Sequence, residues 1–299
     1  MKYQDMIKTE NTDNRYQAWT QYRSQLTSYI TTALKDNIPS DGWVAIWGAG
    51  GCNDIDIVKL SKDYKLLLID RDIETLELTR NRLCLSKDRC KIADVAFWSI
   101  DEEDYKLFES LIIDRADQEE LEIFLRELVE HMPNPANLEK YQVDCSVVVG
   151  LASQLNARLA ALLYMHKDKL GHVDMNGIQS VLDSLNKIAV ERLYVALRQL
   201  TKTLIITGYE LESLSSVEEA ETRGAEYAAG FETGMAGGSF LSGEEEKYIT
   251  VAGNEHWHRR IYKAILMDKL EELGLARIMY WNFSEQKTYI MLNIALLVC

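Results

Sequence analysis

The sequence predicts an α/β fold with a seven-strand, mostly parallel sheet closed by an antiparallel C-terminal hairpin. Three observations carry this expectation. An apolar run at 44–47 breaks into Gly48, Ala49, Gly50 and Gly51; strand-like and helix-like segments then alternate; and two long strand-like runs close the chain. A fully apolar run suits a parallel strand buried on both faces, and alternation of the two element types builds a parallel sheet with helices on both sides.

Composition sets the outer bounds. A chain of 299 residues with 47% hydrophobic residues can build a substantial core in one large domain. Its formal charge of −14, without a Lys/Arg run, repels phosphate backbones and acidic membrane surfaces, so neither nucleic acid nor membrane is expected as a partner. Cys52, Cys84, Cys90, Cys145 and Cys299 form no CxxC pair and no zinc spacing, which reads as reduced thiols and no metal site. The polar N-terminus is unlike a signal peptide, and no apolar run approaches the roughly 20 residues of a membrane helix. A cytoplasmic protein is expected.

Residues 14–36 place Trp19, Tyr22, Leu26, Tyr29, Ile30 and Leu34 at helical spacing, predicting an amphipathic helix against the sheet or over its ligand edge. Residues 1–42 are accordingly an N-terminal helical extension to a domain spanning 43–299. The first strand, 43–47, leads through the glycine turn into a helix over 54–62 capped by Asn53 or Asp54. A second strand at 66–69 ends in Asp70 and is followed by a helix over 74–85. A third strand over 91–97 carries Asp94, and an acidic stretch precedes a helix over 117–131; the two prolines in 131–138 mark a loop. The fourth strand is 143–149, opened by Asp144 and ended by Gly150. Helices over 152–166 and 175–199 make 151–200 a helical insertion, and 203–207 is the fifth strand. The acidic, glycine-containing stretch 209–253, with GFETGMAGGSF at its centre, reads as a loop insertion, either a lid or a connector. A helix over 255–273 and strands over 276–283 and 288–298 complete the chain, and the short link SEQK permits only a hairpin.

Open α/β sheets bind ligands at the carboxyl ends of their strands, where strand order reverses. The residues there are Gly48, Ala49, Gly50, Asn53 and Asp54, then Asp70, Arg71 and Asp72, then Asp94 and Val95, then Gly150 and Leu151, then Tyr209. A glycine turn lets backbone approach a ligand closely, and an acid about 20 residues later can accept both ribose hydroxyls. That geometry serves NAD and S-adenosylmethionine alike. The dinucleotide fingerprint would need Gly or Ala where this chain has Asn53.

Element order and the terminal hairpin resemble class I S-adenosylmethionine-dependent methyltransferases, in which a seventh strand enters the sheet antiparallel. The resemblance covers most of residues 43–298. It implies that VAIWGAGGCND holds the methionine part of the cofactor, that Asp70 in LLLIDRD holds the ribose, and that Asp94 in KIADV meets the adenine amino group. DCSVVVGLASQLN, from Asp144, looks like the fourth-strand motif, and GAGGCND with SQL looks like a subset of bacterial methyltransferase-like proteins. The chain departs from the family at Ile46, where an acid is common, and at Cys52, where a third glycine is common; Asn53 and Asp54 are candidates for the missing contacts.

The function so implied is S-adenosylmethionine-dependent methyl transfer to a small molecule or a protein side chain. The alternatives are an NAD(P)-dependent oxidoreductase and a non-enzymatic sensor or interaction module binding an S-adenosyl compound. No catalytic residue is assigned. Ser153 and Gln154 could face the transferable methyl, and Tyr209 with loop 230–240 could form an acceptor pocket. His256 and His258 flank Trp257, but an i, i+2 pair on a helix points to different faces and makes a poor metal site.

Overall fold

The computed structural model describes residues 13–94, 100, 102–130, 141–151, 155–225, 270–272, 277–284 and 287–298. Their strands form one eight-stranded sheet. In chain order they are β1 (Trp43–Trp47), β2 (Lys65–Asp70), β3 (Cys90–Asp94), β4 (Val143–Val149), β5 (Thr201–Leu214), β6 (Leu270–Glu272), β7 (Arg277–Ser284) and β8 (Lys287–Val298). The sheet order is β3-β2-β1-β4-β5-β8-β6, with β7 also paired to β8. β1 to β5 are mutually parallel, and β8 runs antiparallel to β5, β6 and β7. The expected fold, parallel sheet and antiparallel hairpin included, is therefore present, with one strand more than the seven expected.

Strand order reverses between β1 and β4, which opens the crevice for the candidate site. Besides a 3-10 turn at Lys167–Lys169 and a helical run over 217–225, the helices are α1 (Asp13–Ala18), α2 (Thr20–Lys35), α3 (Ile57–Leu60), α4 (Ile73–Arg82), α5 (Glu102–Ile113), α6 (Gln118–Glu130), α7 (Ala157–Met165) and α8 (Met175–Leu200). Two hydrophobic clusters flank the sheet. One gathers residues of α5 to α8, the other α2 and the segments around α3 and α4.

The predicted N-terminal helix is nearly unbroken, interrupted at Trp19, and Trp19, Tyr22, Leu26, Tyr29, Ile30 and Leu34 are all buried. Its middle is fastened to distant chain. The Trp19 indole N–H donates to the Phe283 carbonyl at 3.2 Å, Arg23 donates to the Asn53 carbonyl at 2.8 Å, and Thr27 accepts the Asp56 N–H at 2.9 Å.

Five elements differ from expectation, one of them a helical run over 217–225 within the expected 209–253 loop insertion. The helix expected over 54–62 is only four residues long and is capped by Asp56, whose carboxylate accepts the Lys59 N–H, because Asn53 and Asp54 are held in the turn instead. The acidic stretch at 102 opens α5: three acids in the first turn suit the helix dipole, and Tyr105, Phe108 and Ile112 form its buried stripe. β5 runs on to Leu214 because β8 continues to pair with it beyond the end of β4. Residues 270–272, expected to be helical, form β6 against β8, so pairing overrides a helical pattern there. The remainder of that expected helix, with His256 and His258, lies outside the described residues, as do 131–138, Val95, Ser153, Gln154 and loop 230–240.

Candidate functional site

The first strand ends in a turn held by its own backbone. The Gly48 and Ala49 N–H groups both donate to the Ile69 carbonyl, at 2.9 and 3.1 Å, and the Cys52 N–H donates to Ala49 at 2.8 Å. The Gly50 N–H donates to the Asp70 carboxylate at 2.9 Å. Gly48 and Gly50 adopt φ of 68° and 43°, a region that favours glycine. Cys52, where the resembled family commonly has its third glycine, adopts φ of 49° with its thiol buried, so the backbone keeps a glycine-like path without a glycine. From α4, Arg82 donates to the Gly51 carbonyl at 2.9 Å.

Asp70 is half-buried at the end of β2, with one oxygen on Gly50 and the other accepting the Asp72 N–H at 3.0 Å. Asp94 is its register partner at the end of β3 and is exposed, so the two acids stand side by side. Asp72 caps α4, accepting the Thr75 N–H at 3.0 Å, which accounts for it structurally. Arg71 is exposed and turned toward α5, where it donates to the Tyr105 hydroxyl at 3.5 Å. Across the β1/β4 crevice, Leu151 lies over Gly48: a Cβ there would stand 2.7 Å from its Cδ1. Gly150 has φ of 65° and donates to the Gly208 carbonyl at 3.0 Å. Asp144 accepts the Trp43 N–H at 2.8 Å and so joins β4 to β1 at the far end of the strands.

Asn53 and Asp54 sit beneath α2. Asp54 keeps some accessible surface as a residue, yet its carboxyl is enclosed by protein. Burial pushes its pKa up to about 6, opposed by the backbone N–H groups of Asp54 and Ile55 and by the Arg23 guanidinium. Arg23 itself is occupied, donating to the Tyr16 and Asn53 carbonyls with its guanidinium over the Tyr16 ring.

Structure thus brings together Gly48, Ala49, Gly50, Asn53, Asp54, Asp70, Asp94, Gly150 and Leu151 at one end of the sheet, with Arg71 at the margin. Residues outside the sequence reading join them. Tyr22 stacks on Trp281, with centroids 5.2 Å apart at 11°, and the Trp281 ring edge abuts Gly150. Glu210 approaches Gly150 from β5. Tyr22 was legible only as an apolar helix position, and Trp281 only as a strand residue. On the α5 side, Arg158 forms a two-pronged pair with Glu102 at 2.6 and 2.7 Å and covers the Tyr105 ring at 3.9 Å. Arg158 holds the Glu102 carboxyl below its ordinary range, so this pair stabilises the fold at neutral pH and is lost as pH falls through that lowered value. Arg158→Ala is expected to cost about 1 kcal/mol, discounted for solvent at the exposed Glu102, with the difference vanishing in acid denaturation curves.

No family model matches the chain, and no curated protein matches it. Solved structures do. The N-methyltransferase NodS of Bradyrhizobium japonicum, in complex with S-adenosyl-L-homocysteine, is 13% identical over 99% of this chain and 97% of that one, at a TM-score of 0.43. The magnesium protoporphyrin IX methyltransferase of Synechocystis with bound S-adenosylhomocysteine is 9% identical over 92% of this chain and 83% of that one, at 0.39. An S-adenosylmethionine-dependent methyltransferase from Methanosarcina mazei is 12% identical over 89% and 96%, at 0.40. Likeness of that order says nothing about reaction or substrate. It is the strand order with its antiparallel β8 that makes the fold class I methyltransferase-like. Among the described residues no group of three or more His, Cys, Asp or Glu is placed to hold a metal ion, and no helix is long and apolar enough to cross a membrane.

Proposed function

We propose that the chain binds S-adenosylmethionine across the β1/β4 crevice and transfers its methyl group to a small molecule or a protein side chain. The observation that carries this reading is the polarity of the site. The turn's N–H groups at Gly48, Ala49, Gly50 and Cys52 are engaged internally, and the helix behind it is a four-residue piece capped by an acid. A pyrophosphate needs free N–H donors and an unopposed helix N-terminus, so a dinucleotide is poorly served. Hydroxyl and ammonium donors are well served, because the outward groups are carboxylates.

Asp70 engages two of its roughly four lone-pair sites with backbone, leaving acceptors for ribose hydroxyls. Asp94 stands next to it for the adenine amino group, Arg71 borders that side, and Val95 follows. Gly48, Ala49, Gly50, Gly150 and Leu151 line the middle. Asn53 and Asp54 are assigned to the amino-acid end, where a buried carboxylate attracts an ammonium. The cofactor would supply a methyl group already activated on a sulfonium, so alignment is the protein's main task.

A thermal-shift comparison of S-adenosylhomocysteine, S-adenosylmethionine, NAD and NADP tests this. At about 100 times its dissociation constant a ligand stabilises by roughly 2.7 kcal/mol. The adenosyl compounds should raise the melting temperature, and Asp94→Ala, at an exposed position, should weaken that response without lowering the unliganded melting temperature. Stabilisation by NAD or NADP alone, or none by the adenosyl compounds in folded protein, defeats the proposal.

A further inference from the structure

The α2-facing side of the sheet carries buried polar groups that the cofactor reading leaves unused. Tyr22 is 2% exposed and its hydroxyl makes no hydrogen bond; Asn293 is 0% exposed, and neither its side-chain oxygen nor its nitrogen makes one. Orphaned groups of this kind cost stability, so their presence asks for an occupant. The Asn293 side chain and the Trp281 ring that Tyr22 stacks on border one place, the joined backbone of Gly150 and Gly208. Asn293 is the register partner of Gly208, and its side-chain oxygen lies in the space a Cβ at Gly208 would fill. Glu210, two residues along β5, shares that face, and its carboxylate reaches to 3.9 Å from where a Cβ on Gly150 would stand. The Trp281 ring edge borders the same point, with Tyr22 stacked upon it.

We propose that the methyl acceptor is a cationic amine, held beside Gly150 by the Glu210 carboxylate with the Tyr22 hydroxyl and the Asn293 side-chain oxygen. This rests on the methyl-transfer reading and names its substrate class. All three groups accept hydrogen bonds, which suits the several N–H donors of an ammonium, and the Tyr22 and Trp281 rings offer π faces to a cation. The field agrees: burial first, and then the negative charges of Asp54 and Glu210, push the Tyr22 phenol up. Arg23, the cation on the same helix, is engaged with Tyr16 and Asn53.

The step balances with these groups. The protonated amine gives one proton to the Glu210 carboxylate. Its lone pair then forms a bond to the methyl carbon as the carbon–sulfur bond breaks, the electron pair remaining on sulfur. The positive charge thereby passes from sulfur to nitrogen.

The test is calorimetric titration of the full chain with benzylammonium and with the isosteric but neutral benzyl alcohol, each with and without saturating S-adenosylhomocysteine. Benzylammonium should bind about tenfold tighter than the alcohol, the worth of one charge-assisted hydrogen bond, and should bind alongside S-adenosylhomocysteine. Glu210→Gln should abolish the preference. Tyr22→Phe should weaken benzylammonium binding while raising the melting temperature of the unliganded protein, a combination that a purely structural hydroxyl would not give. Equal binding of the alcohol, a preference surviving Glu210→Gln, or competition between benzylammonium and S-adenosylhomocysteine overturns the assignment. Failure of S-adenosylhomocysteine to bind defeats the methyl-transfer reading separately, because the amine preference is also read without it.

Discussion

Gly48→Ala should destabilise the protein by about 2–3 kcal/mol, whereas Gly50→Ala should cost only about 1 kcal/mol. Both residues have positive φ, for which a side chain costs roughly 1–2 kcal/mol. They differ in surroundings. A Cβ at Gly48 would meet Leu151 Cδ1 at 2.7 Å and its Cγ at 3.3 Å, so the leucine side chain must turn away from the turn. At Gly50 the nearest atom is an Asp70 oxygen at 4.0 Å. Overpacking therefore adds about 1 kcal/mol or more at Gly48 alone. Urea unfolding of both variants checks this, and equal midpoints would show that Leu151 does not abut the turn. Because Leu151 also faces the crevice, Gly48→Ala should weaken S-adenosylhomocysteine binding more than Gly50→Ala does.

Asp54→Asn should stabilise the protein at pH 8 by up to roughly 3 kcal/mol and leave it unchanged near pH 4. The carboxyl titrates at about 6 in the folded chain and near 4 when unfolded, so the native state holds the extra proton between these values. Stability from this group is full below about pH 4, falls as pH rises through about 6, and then stays low. Asparagine keeps an oxygen for the Asp54 and Ile55 N–H groups and carries no charge to bury. Denaturation midpoints of the two proteins from pH 4 to 8 should diverge by this amount, and parallel curves would show that the carboxyl is not desolvated. The stabilised variant should bind S-adenosylmethionine less well, as expected where a destabilising charge serves a ligand.

Much of this was legible in the chain. Uninterrupted apolar runs announce doubly buried strands, so β1, β2 and β4 fall within one residue of expectation, and their ends place Gly48, Asp70 and Gly150 together. Periodicity exposed the buried face of α2. What escaped has physical causes. Glu102, Glu103 and Asp104 read as a polar stretch, although acids in a first turn also begin helices. The strand of residues 270–272 exists because β8 offers a free edge, which no local pattern records. Tyr22, Glu210, Asn293 and Trp281 come from four separate elements, each with an ordinary role in its own segment. Only tertiary packing makes them neighbours.

The hydrogen bond from Trp19 to Phe283 spans 264 positions of sequence, and it bears on how the protein is made. During synthesis α2 must wait for the 264 positions that separate Trp19 from Phe283 before its docking strand exists. Loop-closure entropy for such a contact is met late, and contacts of high sequence separation slow folding. During synthesis the part of α2 that packs on β7 stays uncovered until then. Fastening of α2 to β7, which covers Tyr22 with Trp281, thus follows synthesis of the C-terminal strands.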